Sequence, residues 1–192
     1  MYALPPGPAP APRRQTLVGM ALASVSIVML MGGMLAVWLL KRTEMMDAGD
    51  TWLPSGVVIP EVPSNIILIA FVGLCVFAQW AVWSAKRNDR GHTVFALAAT
   101  ALVALLIVNA QAYIYSQMDL GIADGLYPAM FYAVTGAFMV LMVIGILFSA
   151  VAAFRFSGGR TDDTEIVAAH AMYWYTMGAV FTAIWFVIYV TK

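Results

Sequence analysis

The sequence predicts an all-α membrane protein with five transmembrane helices. Hydrophobic residues make up 62% of its 192 residues and charged residues only 10%, whereas in an ordinary soluble domain about a quarter of the residues are charged. Five apolar runs are separated by short polar segments, and each run has the length of about 20 residues that a helix needs to cross the hydrocarbon of a bilayer. Residues 16–192 are therefore expected to form one membrane domain.

The first 15 residues, "MYALPPGPAPAPRRQ", predict a flexible arm exposed to solvent, because proline lacks the amide donor that a helix requires. Arg13 and Arg14 precede an apolar run, as they do in a twin-arginine export signal. That run, residues 16–40, is longer than the apolar part of a signal peptide and has no small-residue cleavage site after it. It is therefore predicted to be the first span.

Four more spans are predicted, at residues 65–85, 93–118, 128–154 and 166–190. The connecting segments "KRNDRGH", "DLGIADGLYP" and "SGGRTDDTE" are rich in the residues that end helices and form turns. Seven lysines and arginines fall on the side of the N-terminal arm and three on the opposite side. The positive-inside rule therefore predicts a cytoplasmic N-terminus and an external, periplasmic C-terminus.

Small and aromatic side chains suggest how the helices pack. In lipid, helices associate through close contact at small residues, and Gly145, Ser149 and Ala153 follow one another at intervals of four in the fourth span. Gly19 and the Gly32-Gly33 pair give the first span similar small positions. Aromatic residues near the span ends are expected to anchor the protein at the membrane interface, and these are Trp38, Trp52, Tyr113, Tyr115, Tyr127 and Tyr189.

Few side chains inside the spans carry chemistry. His92 and His170 lie near span ends on the same membrane side, where histidine is typically interfacial and solvated and is seldom a haem or metal ligand. A single cysteine, Cys75, excludes an internal disulfide, and the zero net charge gives no indication of nucleic-acid binding. Asn109 and Gln111 lie deep in the third span, where an amide can hydrogen-bond a neighbouring helix. The sequence favours a scaffold over a catalyst, with no cofactor bound by this chain.

Four motifs, in order along the chain, resemble subunit III of haem-copper terminal oxidases (cytochrome c oxidase). They are "TWLPSGVVIPEVPSN" with Trp52, "AQAYIY" with Gln111 and Tyr115, "FYAVTGAF" with Gly136, and a final segment that opens with Tyr173 and Trp174. The family usually has seven helices, and this chain resembles the last five, as in shorter bacterial versions. The resemblance implies a protein of the bacterial cytoplasmic membrane.

The resemblance also implies partners and a role. A subunit III binds no haem or copper, which the partner subunits hold; it packs against catalytic subunit I, shares the complex with subunit II and small subunits, and holds phospholipids. It supports sustained oxygen reduction and proton pumping near the entry of a proton pathway. Membership of a respiratory supercomplex stays open. At positions where the family pattern is polar, this chain has Ile27, Ile114, Phe138, Leu141, Tyr175 and Gly178, which leaves the packing role and weakens any role in proton uptake.

These observations give two sets of candidate residues. The residues expected at helix-packing or subunit interfaces are Gly136, Gly145, Ser149, Tyr173 and Trp174. The residues expected to make lipid or polar contacts are Trp52, Gln111, Tyr115 and His170.

The first functional hypothesis is an accessory, non-redox subunit of an aerobic respiratory oxidase. One alternative is a small transporter or channel that works alone, but the five spans cannot divide into equal inverted repeats. Another is the related accessory subunit of a quinol oxidase or a nitric oxide reductase, which the sequence hardly separates from the first.

Overall fold

Five long helices contain most of the residues that the computed structural model describes, which are 14–118 and 120–191. The helices are α1 (Gln15–Asp47), α2 (Glu61–Lys86), α3 (Arg90–Met118), α4 (Leu126–Ser157) and α5 (Thr164–Ile184), and residues Trp185–Val190 continue α5 as a π-helix. All five are long and apolar enough to cross a membrane, and the described ranges contain no strand. The predicted fold class is confirmed, while the orientation in the membrane stays a prediction. Residues 1–13 of the predicted N-terminal arm lie outside the described residues.

The first helix is longer than the sequence analysis predicted. The predicted span ended at Leu40, but α1 continues to Asp47. A helix of 33 residues is about 50 Å long, well beyond the roughly 30 Å of hydrocarbon. In the extra turns, Lys41 pairs with Glu44 at 2.7 Å. Charged residues therefore end the apolar run but not the helix, because lysine and glutamate are good helix formers.

The second helix begins and ends where its sequence indicates. Pro60 precedes α2, and Pro63 lies in its first turn, where a missing backbone N–H leaves no hydrogen bond unmade. Glu61 lies at the positive end of the helix dipole and Lys86 at the negative end. The connection to α3 is short and includes Asn88 with a φ of 56°, a conformation that asparagine adopts more readily than most residues.

The helices α2, α3, α4 and α5 form a closed ring in which each packs against its two neighbours, and α1 lies outside the ring against α4 and α5. Phe71 of α2, Phe138 of α4 and Phe181 of α5 meet inside the ring. Their ring centroids are 5.2 to 6.1 Å apart. All three side chains are buried, so this aromatic contact forms part of the core.

Hydrogen bonds between chain segments show which helix ends lie together. The backbone N–H of Leu17, at the start of α1, donates to Oε1 of Glu165 at the start of α5, at 2.9 Å. The guanidinium of Arg90, at the start of α3, donates to the carbonyl of Ser157 at the end of α4. We call this end of the bundle the basic end; its basic residues within the described ranges are Arg14, Lys86, Arg87, Arg90, Arg155 and Arg160. The guanidinium of Arg42 donates to the carbonyl of Thr191 at the opposite end, at 2.9 Å.

The prediction that the aromatic residues near span ends anchor the membrane interface is wrong for four of them. Trp38, Trp52, Tyr127 and Tyr189 are at most 4% exposed. The rings of Trp38, Trp52 and Tyr127 contact one another edge to face, with centroids 5.0 to 5.5 Å apart. The reason is that the α1–α2 connection, which carries Trp52, folds back against α1 and α4. Tyr113, in contrast, is 53% exposed.

Candidate functional site

Gly145 of α4 lies where two aromatic side chains of α5 press against the helix backbone. A Cβ atom at this position would lie 2.6 Å from Cε1 of Tyr173 and 2.8 Å from Cη2 of Trp174, distances that no side chain can occupy. The hydroxyl of Tyr173 also donates to the carbonyl of Leu141 at 2.5 Å, one turn before Gly145. The structure therefore brings together three of the predicted packing residues: Gly145, Tyr173 and Trp174.

One turn further along α4, Ser149 joins the same contact through polar atoms. The indole N–H of Trp174 is 2.9 Å from Nε2 of His170 and 3.1 Å from Oγ of Ser149. Ser149 Oγ lies 2.7 Å from His170 Nε2 and donates to the carbonyl of Gly145 at 2.9 Å. All of these side chains are buried. The contact between α4 and α5 is thus a small hydrogen-bonded network inside the bundle.

The expectation that His170 is interfacial and solvated is wrong, because its side chain is fully buried. The indole N–H of Trp174 can only donate and lies within reach of both His170 Nε2 and Ser149 Oγ. The tautomer of His170 decides which atom donates in the 2.7 Å contact between Ser149 Oγ and Nε2. Nδ1 has no hydrogen-bond partner among the described residues. The sequence placed His170 close to the end of a predicted span and did not show that α4 covers it. Its polar contacts are with Ser149 and Trp174, inside the protein.

A second set of internal polar contacts joins α3 to α4 and to the end of α5. Gln111 is buried, and its Nε2 donates to the hydroxyl of Tyr189 at 3.2 Å. The hydroxyl of Tyr115 donates to Oγ1 of Thr135 at 2.8 Å. Trp52 makes aromatic contacts, and its buried Nε1 has no hydrogen-bond partner among the described residues. Gln111 and Tyr115 therefore make polar contacts within the chain.

Several glycines expected at close helix contacts have open space around them. A Cβ atom added at Gly136 would meet no atom within 4 Å, and the same holds for Gly19, Gly32 and Gly33. The expectation of close packing within the chain is wrong at these positions. For Gly136 the other alternative, a place at a subunit interface, stays a prediction.

The described residues contain no group of three or more histidine, cysteine or acidic side chains that could hold a metal ion. Cys75 is half-buried, with Sγ 3.9 Å from the carbonyl of Trp174. His92 pairs with Asp89 at 2.7 Å at the exposed basic end. The hydrogen bonds from the His92 backbone N–H and ring lower the pKa of the Asp89 carboxyl.

Three of the six positions at which the resemblance implies polar residues lie in the core of this chain. Ile27, Ile114 and Phe138 are buried among other apolar side chains. An ionised group at these positions would be buried without a charge partner, which is unfavourable in a low-dielectric interior. Apolar residues at these three positions thus agree with their surroundings.

Outside the bundle, several polar side chains of the predicted spans face away from the core, among them Asn109 and Gln79. Asn109 of α3 is exposed. Gln79 of α2 is also exposed, but its Oε1 accepts a hydrogen bond from the hydroxyl of Tyr175. An exposed amide in the middle of a membrane span is unusual, so the outer face around Asn109 is a candidate contact surface.

No pattern in the sequence indicates the contact of Glu165 with Leu17. Glu165 lies in the first turn of its own helix, α5, where an acidic side chain interacts favourably with the helix dipole. Its carboxylate also accepts a hydrogen bond from the first turn of α1, where backbone N–H groups have no partner within the helix. The two residues are 148 positions apart, so no local signal could have shown it.

The arrangement defines a class of protein: a multi-pass helical membrane protein in which several buried polar side chains bond to one another across helices. Within that class the family can be named. The chain belongs to the family Cytochrome c oxidase subunit III, whose model matches residues 10–192.

Individual relatives carry the same name. The cytochrome c oxidase subunit 3 of Prototheca wickerhamii is 29% identical over 133 residues, 67% of this chain and 50% of the relative. That of Xenopus laevis is 29% identical over 149 residues, 76% of this chain and 55% of the relative. That of Rattus norvegicus is 27% identical over 187 residues, 90% of this chain and 67% of the relative. The chain spans about half the length of most of the curated relatives that it matches.

Proposed function

We propose that this chain is an accessory, non-redox subunit of an aerobic respiratory haem-copper oxidase. The family match over residues 10–192 is the observation that carries the proposal. In this role the chain packs against catalytic subunit I, within a complex that also contains subunit II and small subunits. The haem and copper belong to those partners, and this chain supports sustained oxygen reduction and proton pumping by holding the assembly and its phospholipids in place.

We propose that a partner subunit contacts the exposed face of α3 around Asn109. The helix has 29 residues, and Asn109 lies about 7 Å from its middle, within the roughly 15 Å half-thickness of the hydrocarbon. Its exposed amide has no hydrogen-bond partner among the described residues, and an unpaired amide in lipid is unfavourable. A partner helix that covers this face can supply the missing hydrogen bond.

The proposed role works through packing and does not involve proton transfer by this chain. The family's polar positions that fall at Ile27, Ile114 and Phe138 are apolar and buried here, so none of the three can donate or accept a proton. What remains is a helix bundle with an internally bonded core and an apolar outer surface. Such a surface suits contact with lipid and with another membrane subunit.

We propose that the protein lies in a bacterial cytoplasmic membrane with its basic end in the cytoplasm. The excess of arginine and lysine at that end supports the orientation through the positive-inside rule. The motif resemblance, which implies a bacterial protein, supports the location.

Affinity purification tests the proposal. The tagged chain, extracted from its native membrane in mild detergent, should bring down a partner with a reduced-minus-oxidised haem spectrum. Asn109→Leu should lower the haem recovered per tagged chain, while Gln79→Leu, a matched change on another outer face, should not. Recovery of a stable chain without haem or partner would contradict the proposal.

The same preparation decides between the oxidase alternatives. Oxidation of reduced cytochrome c by the purified complex assigns a cytochrome c oxidase, and oxidation of a quinol or reduction of nitric oxide assigns one of the related enzymes. The family match favours all of these over a transporter that works alone. Specific solute uptake by liposomes that contain only this chain would restore the transporter hypothesis.

A further inference from the structure

A groove opens on the outer surface of the bundle between α2 and α5. Its volume is about 500 Å³, within the range of roughly 300–1,000 Å³ that is usual for small-molecule sites in proteins. Phe71 and Cys75 of α2 line it, together with Ala179 and Thr182 of α5. Most of the wall is apolar, so the groove suits a molecule that dissolves in the membrane.

Two polar side chains lie where this groove approaches the basic end of the bundle. Gln79 and Tyr175 both line the groove, and the hydroxyl of Tyr175 donates to Oε1 of Gln79. That bond engages the amide oxygen and leaves both N–H groups of the amide without a partner among the described residues. If the amide is turned the other way, the pair keeps one free N–H and the free O–H of Tyr175. In either arrangement the pair has hydrogen-bond donors for a further acceptor.

The depth of Gln79 in the membrane restricts what that acceptor can be. Gln79 lies about 8 Å from the middle of α2 along the helix axis, and the hydrocarbon extends about 15 Å from the centre of the bilayer. The phosphate of a phospholipid lies outside this limit, and an unpaired N–H inside it is unfavourable. A ligand that pairs with these donors therefore carries an uncharged acceptor on an otherwise apolar molecule.

We propose that the groove binds a lipid-soluble quinone, with a ring carbonyl at the amide of Gln79 and the apolar tail between α2 and α5. A quinone carbonyl accepts hydrogen bonds and carries no charge, so it can stay within the hydrocarbon. The ring of Tyr175 is 40% exposed and offers an aromatic surface beside the carbonyl. The proposal concerns binding alone. It needs only that the bundle is embedded in a membrane, so it does not rest on the proposed oxidase role.

Protection of Cys75 from alkylation tests the site. Cys75 is the only cysteine of the chain, and it is half-buried in the wall of the groove. A bound ligand should therefore slow its reaction with N-ethylmaleimide. The full-length chain in mild detergent is titrated with decylubiquinone, a quinone with a short apolar tail. Undecylbenzene, which has a similar tail but no carbonyl, should protect Cys75 much less.

Substitution of the polar pair tests the carbonyl contact. Gln79→Leu should raise the concentration of decylubiquinone that gives half of the full protection about five-fold, the effect of one lost hydrogen bond. Tyr175→Phe removes the hydroxyl that holds the amide and should raise this concentration as well. Gln117→Leu, the matched loss of an exposed amide near the end of α3, should leave it unchanged. Equal protection by decylubiquinone and undecylbenzene would overturn the carbonyl contact, and no protection by either would overturn the site.

A second pair of variants tests the position of the groove. Ala179 is exposed, so Ala179→Phe fills the groove from the outside and should lower the amount of decylubiquinone that stays with the chain after desalting. Ala183→Phe, at an exposed position one turn further along α5, should not lower it. The thermal midpoint should stay the same in both variants. Equal retention by the two variants would overturn the position of the site. None of these results depends on recovery of a haem-containing partner.

Discussion

Gly136 and Gly145 lie nine residues apart on α4 and have opposite surroundings. Both glycines were predicted as contact positions, Gly145 from small-residue spacing and Gly136 from its place in a motif. The structure shows the rings of Tyr173 and Trp174 against Gly145 and open space at Gly136. The sequence could not separate them, because a helix that is apolar on every side gives no sign of which face meets its neighbour.

Substitution of these two glycines tests the difference. Gly145→Ala should lower the free energy of unfolding in detergent by about 1–3 kcal/mol, because a methyl group collides with two aromatic rings. Gly136→Ala, the matched control, should leave the thermal midpoint unchanged. If Gly136 lies at a subunit interface, Gly136→Leu should reduce haem recovery without loss of chain stability. Equal thermal midpoints for the two alanine variants would contradict the packing at Gly145.

His170 was predicted to be solvated, and the structure buries it against Ser149 and Trp174. His170→Ala should destabilise the chain by roughly 2–4 kcal/mol, since it leaves a cavity and removes a ring nitrogen that contacts the buried polar atoms of Ser149 and Trp174. The haem spectrum and the turnover per haem of the assembled complex should not change. His92→Ala, at the exposed basic end, should change neither the stability of the chain nor the haem spectrum and turnover of the complex. A loss of haem absorbance with unchanged stability would show instead that His170 serves a cofactor.

At the scale of helices, the sequence predicted the number and order of spans because their signal is local hydrophobicity. It did not predict the extra turns of α1 or the contacts that hold α1 to the ring. The cluster of Trp38, Trp52 and Tyr127 joins α1, the α1–α2 connection and α4, and such contacts between distant residues carry no local pattern. These three residues lie near span ends, which suggested that they anchor the membrane interface, but the fold buries them inside the protein.

The start of α1 depends on the carboxylate of Glu165. Glu165→Ala removes the acceptor for the Leu17 N–H and should destabilise the first turn of α1 by about 1 kcal/mol, as loss of a helix cap does. Amide hydrogen exchange at residues 15–20 should then be about five-fold faster, because local opening follows that free energy. Asp162→Ala, a nearby exposed carboxylate, is the control and should leave exchange unchanged. The same exchange rates in both variants would rule out the cap.

At the scale of the whole molecule, composition and motif order identified a multi-pass membrane protein and its family before any coordinates. The closed ring of α2 to α5, with α1 outside it, could not be read from the sequence, because all five helices are apolar and similar in length. The sequence also did not show which polar residues face the core and which face outward. Gln111, Ser149 and His170 point inward, while Asn109 faces outward, and only the fold separates the two groups.

We propose above all that this chain binds no redox cofactor itself and packs against a subunit that does. The most direct measurement separates the chain from its purified complex under mild conditions and determines haem, copper and iron in each fraction. All of the haem and both metals should stay with the partner subunits, and the separated chain should show no absorbance in the visible range. Haem or metal that travels with this chain in a fixed ratio would contradict the claim.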